Sequence, residues 1–263
     1  MLNTNINQNS FLGSKIQYSV ERGDFESAMG IIQTVIEHDC ENAHAYFLRG
    51  NIKLKKEEIQ SAIEDYNKAI ELNPDNPIYY VSRVLAKIMV HSGQKEQIDD
   101  LDRAIALNPS LPEAHFLRGM IDYCVGFYES ALQDFDIALK LGWCRGEIFY
   151  FKGLAMGKCN QFSPEDRIDA FKRAEDEGFR SPVLFFERAL LKLCMGKTAG
   201  ALDDAYRAIE IAPDFSEAYR LAMQIHIKYG EPDKARELAD FMNLHREKKR
   251  KKRVPKKDLT KIP

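Results

Sequence analysis

The sequence predicts an all-α chain built from consecutive helical hairpins, and three observations carry that expectation. One stretch of about 34 residues recurs along the chain, small residues and aromatics hold fixed places within it, and Gly or Pro punctuates it at regular intervals. At 44% hydrophobic and 30% charged residues, the 263-residue chain has enough apolar content for a packed fold. No stretch approaches eighteen uncharged apolar residues, which excludes a membrane-spanning helix.

The recurrence is clearest between residues 43–76 and 112–145. Both contain Phe-Leu-Arg-Gly, followed by an Ala, an aromatic and a second Ala: Gly50, Ala62, Tyr66 and Ala69 in one, Gly119, Ala131, Phe135 and Ala138 in the other. Small residues let two helices approach, while aromatic and aliphatic residues at i, i+3, i+4 spacing fill the space around them. The turn within each hairpin falls at Lys56-Glu57, Val125-Gly126, Met195-Gly196 and Tyr229-Gly230, where Gly suits a left-handed helix stop. Links between hairpins fall at Asn73-Pro74, Asn108-Pro109 and Ala212-Pro213, because proline cannot continue a helix. Ser110 with Glu113 and Asp214 with Glu217 have capping-box spacing, and Ser163-Pro164 and Ser181-Pro182 place a cap before a first-turn proline.

This pattern resembles the tetratricopeptide repeat (TPR), a helix-turn-helix unit of 34 residues that stacks into an α-solenoid. The resemblance implies a right-handed solenoid of about seven units: 9–42, 43–76, 78–111, 112–145, 146–181, 182–215 and 216–245. Residues 1–8 are expected to be a disordered N-terminus, and residues 246–263 a separate basic tail. In the third unit Leu85 stands where Gly is expected and Gln97 where the first Ala is expected, so its helices should pack less closely. Units four and five end in Leu141-Gly142-Trp143 and Glu177-Gly178-Phe179, which imply glycine-terminated helices with an aromatic over the end.

Catalytic and cofactor chemistry find no support. Gly196-Lys197-Thr198 lacks the earlier glycine of a phosphate-binding loop, with Leu191 in its place. The six histidines form no metal-binding pair and read as surface or packing residues, so neither a metal nor a cofactor is expected. Five cysteines at irregular gaps fit neither a disulfide framework nor a zinc ribbon and read as reduced, mostly packed thiols. Acidic pairs such as Asp99-Asp100 and Asp203-Asp204 fall on second helices, which the resemblance puts on a solvated outer face.

The resemblance also implies that first helices line a concave groove for a peptide or a partner's amphipathic helix. Carried over by position, the candidate groove residues are Phe47, Asn51, Arg83, Phe116, Met120, Tyr123, Tyr150, Leu154, Phe186 and Leu190, expected to be part-exposed. Relatives that clamp the carboxylate tails of chaperones use a set of Lys, Asn and Arg residues. Here only Asn51 fits, with Phe47, Arg83, Glu113 and Leu117 at the other places, which argues against a chaperone C-terminal tail as partner.

Charge is segregated: residues 246–263 hold ten Lys+Arg against two Asp+Glu (net +8), leaving 28 against 38 (net −10) in residues 1–245. Lys248, Lys249, Arg250, Lys251, Lys252 and Arg253 form the densest run, with no aromatic nearby to stack on a base. A solubilising end, a weak phosphate contact with nucleic acid, an anionic lipid contact and, in a eukaryote, a nuclear-import signal all suit it. The N-terminal residues carry no leader pattern, so a cytoplasmic setting is expected, with the nucleus as the alternative in a eukaryote. The expected function is a non-enzymatic protein-interaction scaffold; the alternative is a nucleic-acid-associated factor acting through the tail.

Overall fold

The computed structural model describes residues 14–16, 18–90 and 93–253, and among them only helices occur. Residues 14–16 and 18–21 are helical. Thirteen bounded helices follow: α1 Phe25–His38, α2 Ala43–Lys55, α3 Ile59–Leu72, α4 Pro77–Met89, α5 Gln94–Leu107, α6 Pro112–Val125, α7 Tyr128–Lys140, α8 Gly146–Met156, α9 Pro164–Asp176, α10 Pro182–Cys194, α11 Thr198–Ile211, α12 Ser216–Lys228 and α13 Pro232–Arg253. They form two compact units that meet in sequence at Trp143 and Cys144, the first ending with α7 and the second holding α8 to α13. Within each unit, helices pack chiefly on their neighbours in the chain, as stacked hairpins do. The expected disordered residues 1–8 lie outside the described residues.

Three hairpins close around a glycine that faces an aromatic. A Cβ built on Gly50 would lie 2.7 Å from the Tyr66 ring, one on Gly119 2.8 Å from Phe135, and one on Gly153 2.7 Å from Phe171. These rings are fully buried, so any side chain on the facing glycines would push a closely packed ring out of place. The third hairpin solves the same problem differently and corrects the expected register. Its first helix starts at Pro77 behind Asn76, which aligns Arg83 with Arg49 and puts Val84, not Leu85, opposite the second helix. Val84 and Leu101 are both fully buried there, replacing glycine plus aromatic by two aliphatic side chains of intermediate size. As expected, α4 and α5 pair less extensively than α2 and α3.

Turns and caps follow the local chemistry. Gly126, Gly196 and Gly230 stop their first helices with positive φ, whereas in the second hairpin Glu57 adopts φ 63°. A residue with a Cβ is strained there by about 1 kcal/mol. Glu57→Gly is therefore expected to stabilise the first unit by up to about 1 kcal/mol, readable as a higher urea midpoint. Ser163 and Asp166 form a full capping box, and Asn42 and Asn76 cap α2 and α4 through side-chain oxygens. The boxes expected at Ser110 and Asp214 are displaced, because α6 and α12 begin one residue later, with Leu111 and Phe215 at the cap positions. Ser110 instead donates its N–H to the Asn108 side chain at 3.0 Å, within the link that Pro109 dictates. Gly142 and Gly178 take φ of 90° and 82°, and the N–H groups of Trp143 and Phe179 reach back 2.9 Å to the carbonyls of Ala138 and Ala174. Both glycine stops are thus formed as expected.

Two expectations about charge and sulfur are overturned. Asp99 and Asp203 are exposed, but Asp100 and Asp204 are buried, as are Asp65 and Asp134. Each buried carboxylate receives a forked guanidinium from the first helix of its own hairpin: Arg49 to Asp65, Arg83 to Asp100, Arg118 to Asp134 and Arg188 to Asp204. The second terminal nitrogen of the same arginine reaches the preceding hairpin, donating to Gln33, Asn67, Asp102 and Glu175 respectively. Every such arginine therefore ties three helices together. Among the cysteines only Cys159 is buried, whereas Cys40, Cys124, Cys144 and Cys194 are exposed, so the thiols are not mostly packed.

Candidate partner-binding surface

All ten candidate groove residues are half-buried and lie on the first helices of their hairpins. In the first unit, Phe47 contacts Tyr66 at 6.1 Å between ring centroids and Tyr79 of the next hairpin at 5.0 Å. Phe116 occupies the same register in α6, with Phe135 at 6.2 Å and Trp143 stacked at 6.0 Å. Met120 leans on the core of α4 to α6, and Tyr123 tilts against Tyr128 at 5.7 Å. Asn51 accepts a hydrogen bond from the Tyr66 hydroxyl at 2.8 Å. Arg83 belongs elsewhere: its guanidinium is held by Asp100 and Asn67 on second helices, so its charge serves the fold.

In the second unit, Tyr150 contacts Phe171 at 6.3 Å and Phe179 at 4.9 Å, and Phe186 meets Phe215 edge-on at 5.4 Å. Leu190 packs beside Phe186 on the core of α10 to α12, and Leu154 is half-buried on α8. Phe47, Phe116, Tyr150 and Phe186 thus repeat one role. Each ring covers its own hairpin with one edge, clasps an aromatic at the start or link of the next, and leaves the remainder to solvent. That partial exposure leaves apolar surface available for a ligand to bury.

The first unit also contains an open cleft of about 430 Å³ that the sequence did not disclose. Ile16, Val20, Leu48 and Ile52 form its apolar walls, and His44, Asn51 and Lys55 are its polar lining. His44, Leu48, Asn51 and Lys55 share one face of α2, so the cleft continues the half-exposed stripe. Although much of the His44 side chain is open to solvent, the protein around it disfavours the charged form and shifts its pKa down. His115 and His226 are buried packing histidines, hydrogen-bonded within the fold. Among the described residues no group of His, Cys, Asp and Glu is arranged to hold a metal, and no helix is long and apolar enough to cross a membrane.

The helix of the basic run continues α13 through Arg253. The side chains of Lys248, Lys249, Arg250, Lys251, Lys252 and Arg253 lie outside the described residues.

Comparison with known proteins places this geometry. The tetratricopeptide repeat family model matches residues 43–76. Serine/threonine-protein phosphatase 5 of Rattus norvegicus is 31% identical over 182 residues, covering 68% of this chain and 35% of that protein. The chain spans about a third or less of the length of the first curated relatives it matches. Among solved structures, Pseudomonas aeruginosa pilF superposes with a TM-score of 0.73 at 15% identity, covering 83% of this chain and 99% of that one. YrrB, described as a TPR protein with an unusual peptide-binding site, superposes with a TM-score of 0.59 at 18% identity, covering 72% and 96%. The matched unit at residues 43–76, its near copies along the chain and the helical architecture shared with these structures make this chain a member of the tetratricopeptide repeat family.

Proposed function

We propose that the chain is a non-enzymatic protein-interaction module whose first helices hold a peptide or a partner's amphipathic helix. TPR proteins mediate protein–protein interaction, and the observation that supports a specific surface here is the set of half-exposed aromatics on the first helices of each unit, joined in the first unit by the cleft beside His44, Leu48, Asn51 and Lys55. A ligand side chain entering that cleft would bury apolar wall without displacing a core residue, and a ligand carboxylate would find Lys55 at the edge. The basic residues 246–263 carry a second reading, a sequence-independent contact with nucleic-acid phosphates, because their net charge of +8 opposes that of the rest of the chain.

Affinity capture from a lysate of the source cells separates the two. Intact protein, a Phe116→Glu, Phe186→Glu variant and a chain ending at residue 245 are compared at low and moderate salt, with and without nuclease. The expected result is a set of proteins lost with the double variant, retained by the truncated chain and indifferent to nuclease. Recovery that follows the tail, salt and nuclease while ignoring both phenylalanines would overturn the proposal.

A further inference from the structure

The last helix breaks a rule that the other second helices keep. Gly230 stops α12 as Gly196 stops α10, and buried Ala235 takes the place of buried Ala201, so α13 follows the register of α11. In that register Phe241 and Leu244 stand where α11 has Arg207 and Glu210 and α3 has Lys68 and Glu71. The remaining second helices keep at least one charged residue at these two places. Phe241 is 59% exposed and Leu244 46%. Three residues apart, they are neighbours on the helix surface, and while they stay in water they gain nothing for the hairpin beneath.

Length and charge set the same helix apart. It has 22 residues, against 13 in α12, the helix on which it packs, so its C-terminal part reaches beyond that support. A helical end without a packed neighbour is marginal in water. Charge is polarised along it: Asp233 and Glu237 lie before Phe241, and the run from Lys248 to Arg253 lies after Leu244. At 3.6 residues per turn, positions 233, 237, 241, 244, 248 and 252 share one face, so the apolar pair sits midway between an acidic and a basic end.

We propose that this face of α13 pairs with α13 of a second copy of the chain, the two helices running antiparallel about a two-fold axis at the middle of the helix. An interface of that symmetry is self-complementary. Phe241 then meets Leu244 of the second copy, and Glu237 and Asp233 lie across from positions 248 and 252, both lysine. Position 251, a third lysine, falls across from Lys234, whose ammonium is already held by Glu231 at 2.9 Å. A parallel pair would instead set the two runs from Lys248 to Arg253 side by side, at the cost of like-charge repulsion. Direction and partner thus follow from one charge pattern, and the pairing supplies the neighbour that the projecting end of the helix lacks.

Sedimentation velocity of the intact chain, from about 1 to 200 μM to span the range of a weak dimer, tests the pairing. The mass is expected to rise with concentration from 30.2 kDa towards twice that value. Phe241→Glu is expected to weaken association at least about tenfold. Its helical circular dichroism should stay that of the parent, because the ring is mostly in solvent. Glu237→Lys and Lys248→Glu should each weaken it, and the two together should restore it, since every pair across the axis then recovers opposite charges. Association that ignores Phe241→Glu, or two charge reversals that fail to compensate, would overturn the proposal. A chain that stays at 30.2 kDa throughout would also overturn it and leave this face to a different partner.

Discussion

Arg188→Met is expected to destabilise the second unit by about 3 to 5 kcal/mol, the usual cost of removing one partner from a buried ion pair. Asp204 has no solvent exposure and Arg188 almost none, and the guanidinium holds both oxygens of that carboxylate at 2.7 and 2.9 Å. Its remaining nitrogen holds Glu175 of the preceding hairpin at 2.8 Å. Methionine keeps the length and apolar volume of the stem but leaves Asp204 buried with Lys192 as its one remaining cation. The companion Asp204→Leu should restore much of the loss, because the desolvated charge goes with its partner. Arg103→Met, which removes an exposed pair with Asp75, is expected to change stability by less than about 1 kcal/mol. Urea denaturation of the single and double variants reads all of these, and equal losses at Arg188 and Arg103 would show that the buried ties do not hold the hairpins.

Phe171→Ala is expected to cost a similar 3 to 5 kcal/mol by a different route. The ring is completely buried and seated against Gly153, whose missing side chain is what admits it. Truncation would leave a hole that neither α8 nor α9 can fill without moving backbone. Gly153→Ala attacks the same contact from the opposite side by placing a Cβ 2.7 Å from the ring, and should cost about 1 to 3 kcal/mol. Because the two changes alter one shared space, their effects should not add when combined.

The helical hairpins were legible because glycine opposite an aromatic is a steric requirement written at fixed spacing, as at Gly50 with Tyr66 and Gly119 with Phe135. The third unit was misread by one residue for the same reason. With Val84 and Leu101 dividing the volume between them, no glycine marks the crossing, and the register has to be taken from Arg83. The buried carboxylates were missed although their signal was present: an arginine followed by an aspartate 16 residues on, at Arg49, Arg118 and Arg188, and 17 on at Arg83. That spacing acquires meaning only once the rotation of the second helix is known, since it separates buried Asp100 and Asp204 from their exposed neighbours Asp99 and Asp203.

The candidate site was legible as a list of first-helix residues but not as a surface. Arg83 shared the helix and not the role, because a guanidinium long enough to reach the second helix takes the nearest buried carboxylate. The cleft beside Lys55 was invisible for another reason: Ile16 and Val20 come from the preceding hairpin, and only stacking brings them opposite Leu48 and Ile52. Periodicity within one helix does not report such a juxtaposition.

The most direct test of the proposed binding surface is selection of a displayed random peptide library on the intact chain, followed by calorimetric titration of the selected peptides into the parent, Leu48→Glu and Phe116→Glu proteins. Peptides with spaced apolar anchors, whose affinity falls at least about tenfold, or 1.4 kcal/mol, in either variant while its circular dichroism stays that of the parent, are the result expected. Selected peptides that bind all three proteins equally, or a library that yields none, would contradict a ligand site on the first helices.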